Sequence, residues 1–265
     1  MEIRKRRVTR FELLMDAGFG AQKAGDILIR AFARTGRDVY IEPLIPAEIS
    51  PPPRTREALS GSLIRVANFN LTNAGNSTDL ILACHEIVLS RRLDDDEYSA
   101  DCQILLDIGD KKANEDSYEQ VCKRATQLGL SIYPFEIGEA AQAIIRSLLG
   151  KAKNMYYLGM LSNIYSVPED VIINEINLMF EKKLKEEIFS KNIELFHLGY
   201  AFDRKNIDFC YEVPTLEKKN KEEILIDGNS ALSMGIIDSG IKLISGYPIT
   251  PASSILHTLA KAFPS

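Results

Sequence analysis

The feature that most constrains this chain is a change of period near Asn154. Before it, short apolar runs bounded by turn residues alternate with helical patterns, and after it apolar residues recur at helical spacing. The runs at 11–15, 38–41, 63–67, 79–83, 102–107 and 131–133 read as strands. Residues 79–83 form an unbroken apolar run, as expected of a strand covered on both faces. Ala24, Ile27, Leu28, Ala31 and Phe32 fall at i, i+3, i+4, i+7 and i+8, with Gly36 placed to end that helix. Helices are also predicted over 117–128 and 139–149, each stopped by glycine. Strands alternating with helices predict a three-layer α/β/α domain with a mostly parallel sheet, closed by C-terminal helices.

Between 43 and 53 the chain is proline-rich and reads as loop. Past Asn154, Ser166-Val-Pro-Glu169 has the spacing of a capping box, and a second amphipathic helix is expected from 187 to about 202. The charged stretch around 214–223 reads as linker. The domain boundaries expected are therefore 8–205, a linker over 206–222, and a smaller region over 223–265. That region reads as β-α-β-α, with strands at 224–226 and 242–245. Forty residues seldom fold alone, so this tail is expected to be the first piece of a larger domain or a docking segment.

Composition closes several classes. The chain has 265 residues, 45% hydrophobic and 26% charged, which is ordinary globular usage. Net charge −5 argues against a nucleic-acid partner. No apolar run approaches the ~18 residues of a membrane span, and no apolar core follows the basic start, so neither membrane nor secretory targeting is predicted. Cys84, Cys102, Cys122 and Cys210 form no C-x-x-C pair, and His85, His197 and His257 are scattered. No metal or iron–sulfur site is expected, and a reducing, cytoplasmic setting is.

The sharpest chemical signal is Ser245-Gly246-Tyr247-Pro248-Ile249-Thr250-Pro251. A strand ending at Ser245 and a helix opening at Pro251 would make Thr250 the N-cap and aim free N–H groups at an anion. A structural cap alone is the competing reading. A second, weaker signal is Gly18-Phe19-Gly20 before the first helix, either a tight turn or a phosphate loop. Arg54 and Arg56 read as solvated loop cations, with phosphate contact as the alternative.

The run Gly228-Asn-Ser-Ala-Leu-Ser-Met-Gly-Ile-Ile-Asp-Ser-Gly240, then Gly246-Tyr-Pro-Ile-Thr-Pro251, resembles the opening of the thiamine-diphosphate pyrimidine domain of 2-oxoacid:ferredoxin oxidoreductases. Ser239 and Ala252 stand where that family has Ala and Ser. Residues 10–200 resemble the same family's gamma domain through Ala17–Gly20 with Ala24-Gly25, Ile45-Pro-Ala-Glu-Ile49, Lys153-Asn-Met155 and Leu158-Gly159. The resemblance implies oxidative decarboxylation of a 2-oxoacid, with 2-oxoglutarate favoured, to an acyl-coenzyme A with electrons passed to ferredoxin. It implies Thr250 on the substrate carboxylate and Tyr247, Pro248 and Ile249 beside the thiamine. It places the diphosphate, magnesium and iron–sulfur clusters with a beta subunit and other partner chains. The thiamine-activating glutamate is expected downstream of Thr250, so no catalytic residue is assigned here, and the chain by itself is expected to be inactive.

Two departures bear on coenzyme A. Phe19 replaces the family's Gln, and Ser50-Pro51-Pro52 replaces Arg-Gly-Gly, removing backbone donors and reach. These favour a rival reading as a non-catalytic assembly module. A dinucleotide-binding enzyme is a second rival, supported only by Glu42, since Lys23 stands where a third glycine belongs.

Overall fold

The chain is described by a computed structural model covering residues 2–46, 48, 50–204, 207–216, 224–249 and 251–262. It divides into two units, Met1–Lys219 and Asn220–Ser265.

In the first unit the order is β1 (Glu2–Lys5), β2 (Val8–Asp16), α1 (Ala21–Arg34), β3 (Asp38–Leu44), β4 (Leu59–Ala67), β5 (Thr78–Ala83), α2 (Glu86–Leu93) and β6 (Tyr98–Asp107). A short 3-10 turn, Lys111–Ala113, precedes α3 (Glu115–Gln127), β7 (Ser131–Phe135), α4 (Glu139–Ser147), α5 (Lys153–Ile164), α6 (Glu169–Phe180), α7 (Glu186–Tyr200) and β8 (Phe209–Glu212). The main sheet runs β3-β4-β2-β5-β6-β7. Its pairs are parallel from β2 through β7, and antiparallel where β4 meets β2 and β3. The mostly parallel α/β prediction therefore holds.

Alternation along β2 decides which helix covers which face. Phe11 packs on Phe32 of α1 and on Tyr165 beyond α5, while Glu12 pairs with Arg92 of α2. The helical pair α5 and α7 crosses at touching distance through two glycines. A Cβ on Gly159 would lie 2.3 Å from the Phe196 carbonyl, and one on Gly199 would lie 2.0 Å from that of Tyr156.

Several sequence expectations change here. β3 continues through Pro43 to Leu44 inside the stretch read as loop, because an edge strand tolerates a residue that cannot donate. Ser166 is not the cap of α6. It has φ 53°, and the Val167 N–H returns to the Ser162 carbonyl, so it closes α5, and Pro168 is the N-cap of α6 without a side-chain bond. The segment read as linker from 206 carries β8, which pairs in parallel with β1 and buries Phe209 and Tyr211. Helix α2 had no counterpart in the sequence reading.

The second unit contains α8 (Gly228–Asp238) and α9 (Ser253–Ala262). Asp227 caps α8, accepting from the Ser230 N–H at 2.9 Å. The strands expected at 224–226 and 242–245 are not formed; those residues run without a ladder. A lone apolar run has no neighbour to take its backbone hydrogen bonds, so strand propensity alone cannot make a strand.

Candidate functional site

The chain leaves β2 through α1 to β3 and β4 on one side of the sheet, and β5 lies on the other side. Ligands of open α/β sheets bind at such a switch point, beyond the carboxyl ends of the strands. Here that edge is crowded with buried charge. Asp16 ends β2, His85 and Glu86 follow β5, and Asp107 ends β6.

The turn after β2 is built for a tight return. Gly18 has φ 83° and Gly20, the N-cap of α1, has φ 87°, conformations that cost glycine little. Asn154 Nδ2 donates to the Gly20 carbonyl at 3.1 Å, and a Cβ at Gly20 would sit 2.7 Å from that nitrogen. Phe19 is held between the two glycines, half-buried.

Asp16 ties three segments together. Its Oδ1 lies 3.0 Å from His85 Nε2, and its Oδ2 accepts the Arg54 N–H at 3.1 Å. Burial opposes a charged His85, but Asp16 and Cys84 together outweigh it and the pKa is raised to about 10. The Arg54 guanidinium donates to Glu86 Oε1 at 2.6 Å and to Asp110 Oδ2 at 3.1 Å. Among the described residues, His85 Nδ1 and Glu86 Oε2 are buried with no hydrogen-bond partner.

Asp107 is the second hub. Its Oδ2 takes Lys153 Nζ at 2.7 Å and Tyr157 Oη at 2.6 Å, and its Oδ1 takes the Gly109 N–H at 2.8 Å. Tyr118 Oη donates to its carbonyl at 2.9 Å. Burial alone would push the Lys153 ammonium down; the adjacent Asp107 carboxylate reverses this, and its pKa is raised. Burial also pushes the Tyr157 phenol well up, so it stays a donor. Asp107, Gly109 and Lys153 line a cleft of about 280 Å³ whose walls include Phe19, Ile137, Ile145, Arg146 and Gly150.

The structure thus gathers Gly18, Gly20 and Arg54 on one edge of the sheet. Arg54 is not a solvated loop cation, because it spans Glu86 and Asp110. Arg56 pairs with Asp94 on the surface. The dinucleotide-binding rival fails on topology: β4 lies between β2 and β3, so Glu42 is not on the strand beside the glycine turn. His85, Glu86, Asp107 and Lys153 were not assigned to a site by sequence reasoning. The available signal was a polar residue closing each apolar strand run.

In the second unit, Tyr247, Pro248 and Ile249 are exposed. Asn229 Nδ2 donates to the Pro251 carbonyl at 2.9 Å and to Ser254 Oγ at 2.7 Å, tying the start of α8 to the approach to α9. The assigned Thr250 lies outside the described residues, as do Ala47 and Ile49 of the gamma-type motif and residues 217–222 of the expected linker. No three His, Cys, Asp or Glu side chains among the described residues are placed to hold a metal ion. No helix among them is long and apolar enough to cross a membrane.

A sequence profile described as pyruvate ferredoxin/flavodoxin oxidoreductase matches residues 16–202, which include the glycine turn, both carboxylate hubs and the helical pair. The chain belongs to this family. It is 29% identical over 273 aligned positions to the 2-oxoglutarate oxidoreductase subunit KorA of Mycobacterium tuberculosis, covering 93% of this chain and 40% of that protein. The chain thus spans well under half of the length of that relative. In structure it is similar to 2-oxoglutarate:ferredoxin oxidoreductase from Magnetococcus marinus, with TM-score 0.73 and 23% identity over 97% of this chain and 41% of that one. The pyruvate oxidoreductase subunit PORC of Thermotoga maritima matches 74% of this chain and 96% of its own, with TM-score 0.51 and 21% identity. These two likenesses establish the mixed α/β fold of the oxidoreductase subunits.

Proposed function

We propose that this chain is a gamma-plus-alpha type subunit of a 2-oxoacid:ferredoxin oxidoreductase that converts a 2-oxoacid, with 2-oxoglutarate favoured, to its acyl-coenzyme A and passes electrons to ferredoxin. The observation that carries this is the likeness to a 2-oxoglutarate oxidoreductase subunit, which extends over 93% of the chain and so includes tail as well as sheet. Residues 8–205 are the gamma-type domain in this reading, 206–222 join it to the tail, and 223–265 open a thiamine-diphosphate pyrimidine domain.

Thiamine diphosphate, when bound, supplies the carbanion that attacks the keto carbon. This chain offers it exposed Tyr247, Pro248 and Ile249, apolar surface suited to the cofactor's rings. In this reading a beta subunit holds the diphosphate and magnesium, and partner chains hold the iron–sulfur clusters. Thr250 is assigned to the substrate carboxylate. Gly18 and Gly20 are the candidate coenzyme A loop of the gamma-type domain, while Phe19 and Ser50-Pro51-Pro52 argue against that contact. The Magnetococcus enzyme is described with 2-oxoglutarate, coenzyme A and succinyl-coenzyme A bound, which supports the choice of co-substrate.

The test is reduction of a viologen dye by the complete complex, with the thiamine-activating glutamate downstream of Thr250 and the beta subunit both present, against this chain alone, which should leave the dye oxidised. Reduction that needs both 2-oxoglutarate and coenzyme A, and is slower with pyruvate, is expected. No reduction with any 2-oxoacid overturns the reading. Thr250→Val should lower kcat/KM roughly 10- to 150-fold while Thr250→Ser retains most activity. A fall in Tm for Thr250→Val with kcat/KM unchanged would reduce Thr250 to a helix cap.

A further inference from the structure

The groove between α2 and α3 has a one-sided chemistry for a chain of net charge −5. It encloses about 320 Å³, and its lining includes two arginines and no carboxylate. Arg56 comes from the segment before β4 and Arg124 from α3, and both reach the same carboxylate, Asp94, just past the end of α2. Arg124 Nη1 lies 2.6 Å from Asp94 Oδ1, and Arg56 Nη2 donates to Asp94 Oδ2, so both oxygens are taken. Arg124 Nη1 also makes a long contact, 3.4 Å, to the Ser90 carbonyl. A guanidinium has five N–H donors. Among the described residues, no acceptor is bonded to the other nitrogens of these two arginines. The hydroxyls of Ser90 and Ser117 and the amide of Gln120 line the same groove, and Ile87 and Val121 add apolar surface. The groove therefore offers donors fixed in place, one net positive charge from two arginines on one carboxylate, and a small apolar wall. A second carboxylate would only duplicate Asp94. A phosphate monoester fits better, because its three terminal oxygens can take both guanidinium forks at once and its carbon body has an apolar wall to lie against.

We propose that this groove is a binding site for a small organic phosphate, with Arg56 and Arg124 on the phosphate and Ser90, Ser117 and Gln120 completing its hydrogen bonds. Asp94 is a positioning residue, since it holds two arginines from different segments at one point. The site is independent of the coenzyme A reading. Helix α2 covers the face of the sheet that carries Glu12, whereas the glycine turn opens into α1 on the face that carries Phe11. No carboxylate or imidazole lines the groove to act as acid, base or metal ligand, so its ligand is bound and not transformed, as an effector is. Arg56 is two residues from Arg54, whose guanidinium spans Glu86 and Asp110, and Ser90 lies one turn along α2 from Glu86. The ligand is therefore held by the two segments that also carry the Arg54–Glu86 pair at the carboxyl edge of the sheet.

Equilibrium titration of the purified chain at fixed ionic strength with phenyl phosphate, inorganic phosphate and benzoate reads the parts of the site separately. Phenyl phosphate should bind more tightly than inorganic phosphate, which lacks the carbon body, and benzoate should bind most weakly. Arg56→Gln and Arg124→Gln should each weaken phenyl phosphate roughly tenfold or more. Ile87→Ala should weaken phenyl phosphate and leave inorganic phosphate unchanged. Arg91→Gln removes an arginine of α2 that pairs with Asp95 outside the groove, and should leave both phosphates unchanged. All four side chains are partly exposed, so these substitutions leave the core intact. Absence of phenyl phosphate binding overturns the proposal. So does binding that Arg56→Gln and Arg124→Gln leave unaltered, which would place the phosphate elsewhere, the loop at Gly18 and Gly20 included. Equal weakening by Arg91→Gln would reduce the effect to diffuse surface charge and overturns it as well. Benzoate bound as tightly as phenyl phosphate overturns the choice of phosphate.

Discussion

Strand β2 carries two buried carboxylates, and they end in opposite kinds of cluster. Glu12, midway along, is fully enclosed. Arg92 donates to both its oxygens, at 2.7 and 2.8 Å, Thr78 adds a hydroxyl, and Glu97 and Asp95 take the remaining Arg92 donors. Arg10 joins the same network through Glu97, with its own buried Nε left without a hydrogen-bond partner. Asp16, at the carboxyl end of the strand, belongs to a cluster that is left open. His85 Nδ1 and Glu86 Oε2 remain unpartnered there, and Arg54 links the cluster to Asp110, which lines the neighbouring cleft. Charge buried within the sheet must be satisfied by the protein, because no solvent reaches it. At the switch point a ligand can complete what the protein leaves undone. A cluster enclosed within the sheet holds the fold together, and one at the strand ends lies where a ligand can reach.

Breaking the inner cluster should have the largest effect. Arg92→Met strands a fully buried Glu12 and should cost about 3–5 kcal/mol in chemical denaturation. Coupling it to Glu12→Leu should recover most of that loss, because two apolar groups need no partner. Recovery would identify the inner cluster as purely structural.

The outer cluster should announce itself through pH. The His85 pKa lies above its ordinary value of 6.5, at about 10. The pair's contribution is therefore complete below pH 6.5 and lost as pH rises through about 10. In between, the folded state holds one proton more than the unfolded state, so stability should fall by up to about 1.4 kcal/mol per pH unit. Denaturation midpoints measured across that range should lose this slope in His85→Gln. A slope that persists in the variant would assign it to another group.

Smaller effects sharpen the contrast further. Arg54→Ala leaves Glu86 unpaired and should cost about 1–2 kcal/mol, less than Arg92→Met because Arg54 is partly exposed and water can reach the gap. Arg56→Ala breaks the surface pair with Asp94 and should change stability by at most about 1 kcal/mol, an effect that added salt should erase. Equal losses for Arg54 and Arg56 would remove the distinction between a built cluster and a solvated loop.

Much of this was legible in the residues. The strand runs, the helix of Ala24 to Phe32 and the turn to helices at Asn154 all appear where periodicity puts them. Glu12 lies inside the apolar run 11–15 and is fully buried there. Its partner could not be read, because Arg92 lies 80 residues away on α2, a helix of eight residues too short for a firm period. Lys153 was legible only as part of a family-like run, and its meeting with Asp107 required α5 to return beside the end of β6. The tail shows the reverse error. Residues 242–245 have strand composition but no neighbour to pair with, so no ladder forms there.

By itself, then, the sequence determined the class of fold, most of the strand and helix alternation before Asn154, the glycine turn at 18–20 and the family likeness, because these depend on periodicity, turn chemistry and local motifs. Tertiary structure alone decided strand order, the placement of β4 between β2 and β3, the β1–β8 pair and the sorting of buried charges into a closed cluster and an open one. Those outcomes depend on which distant residues share one volume from which water is excluded, and local patterning along a chain carries no measure of that distance.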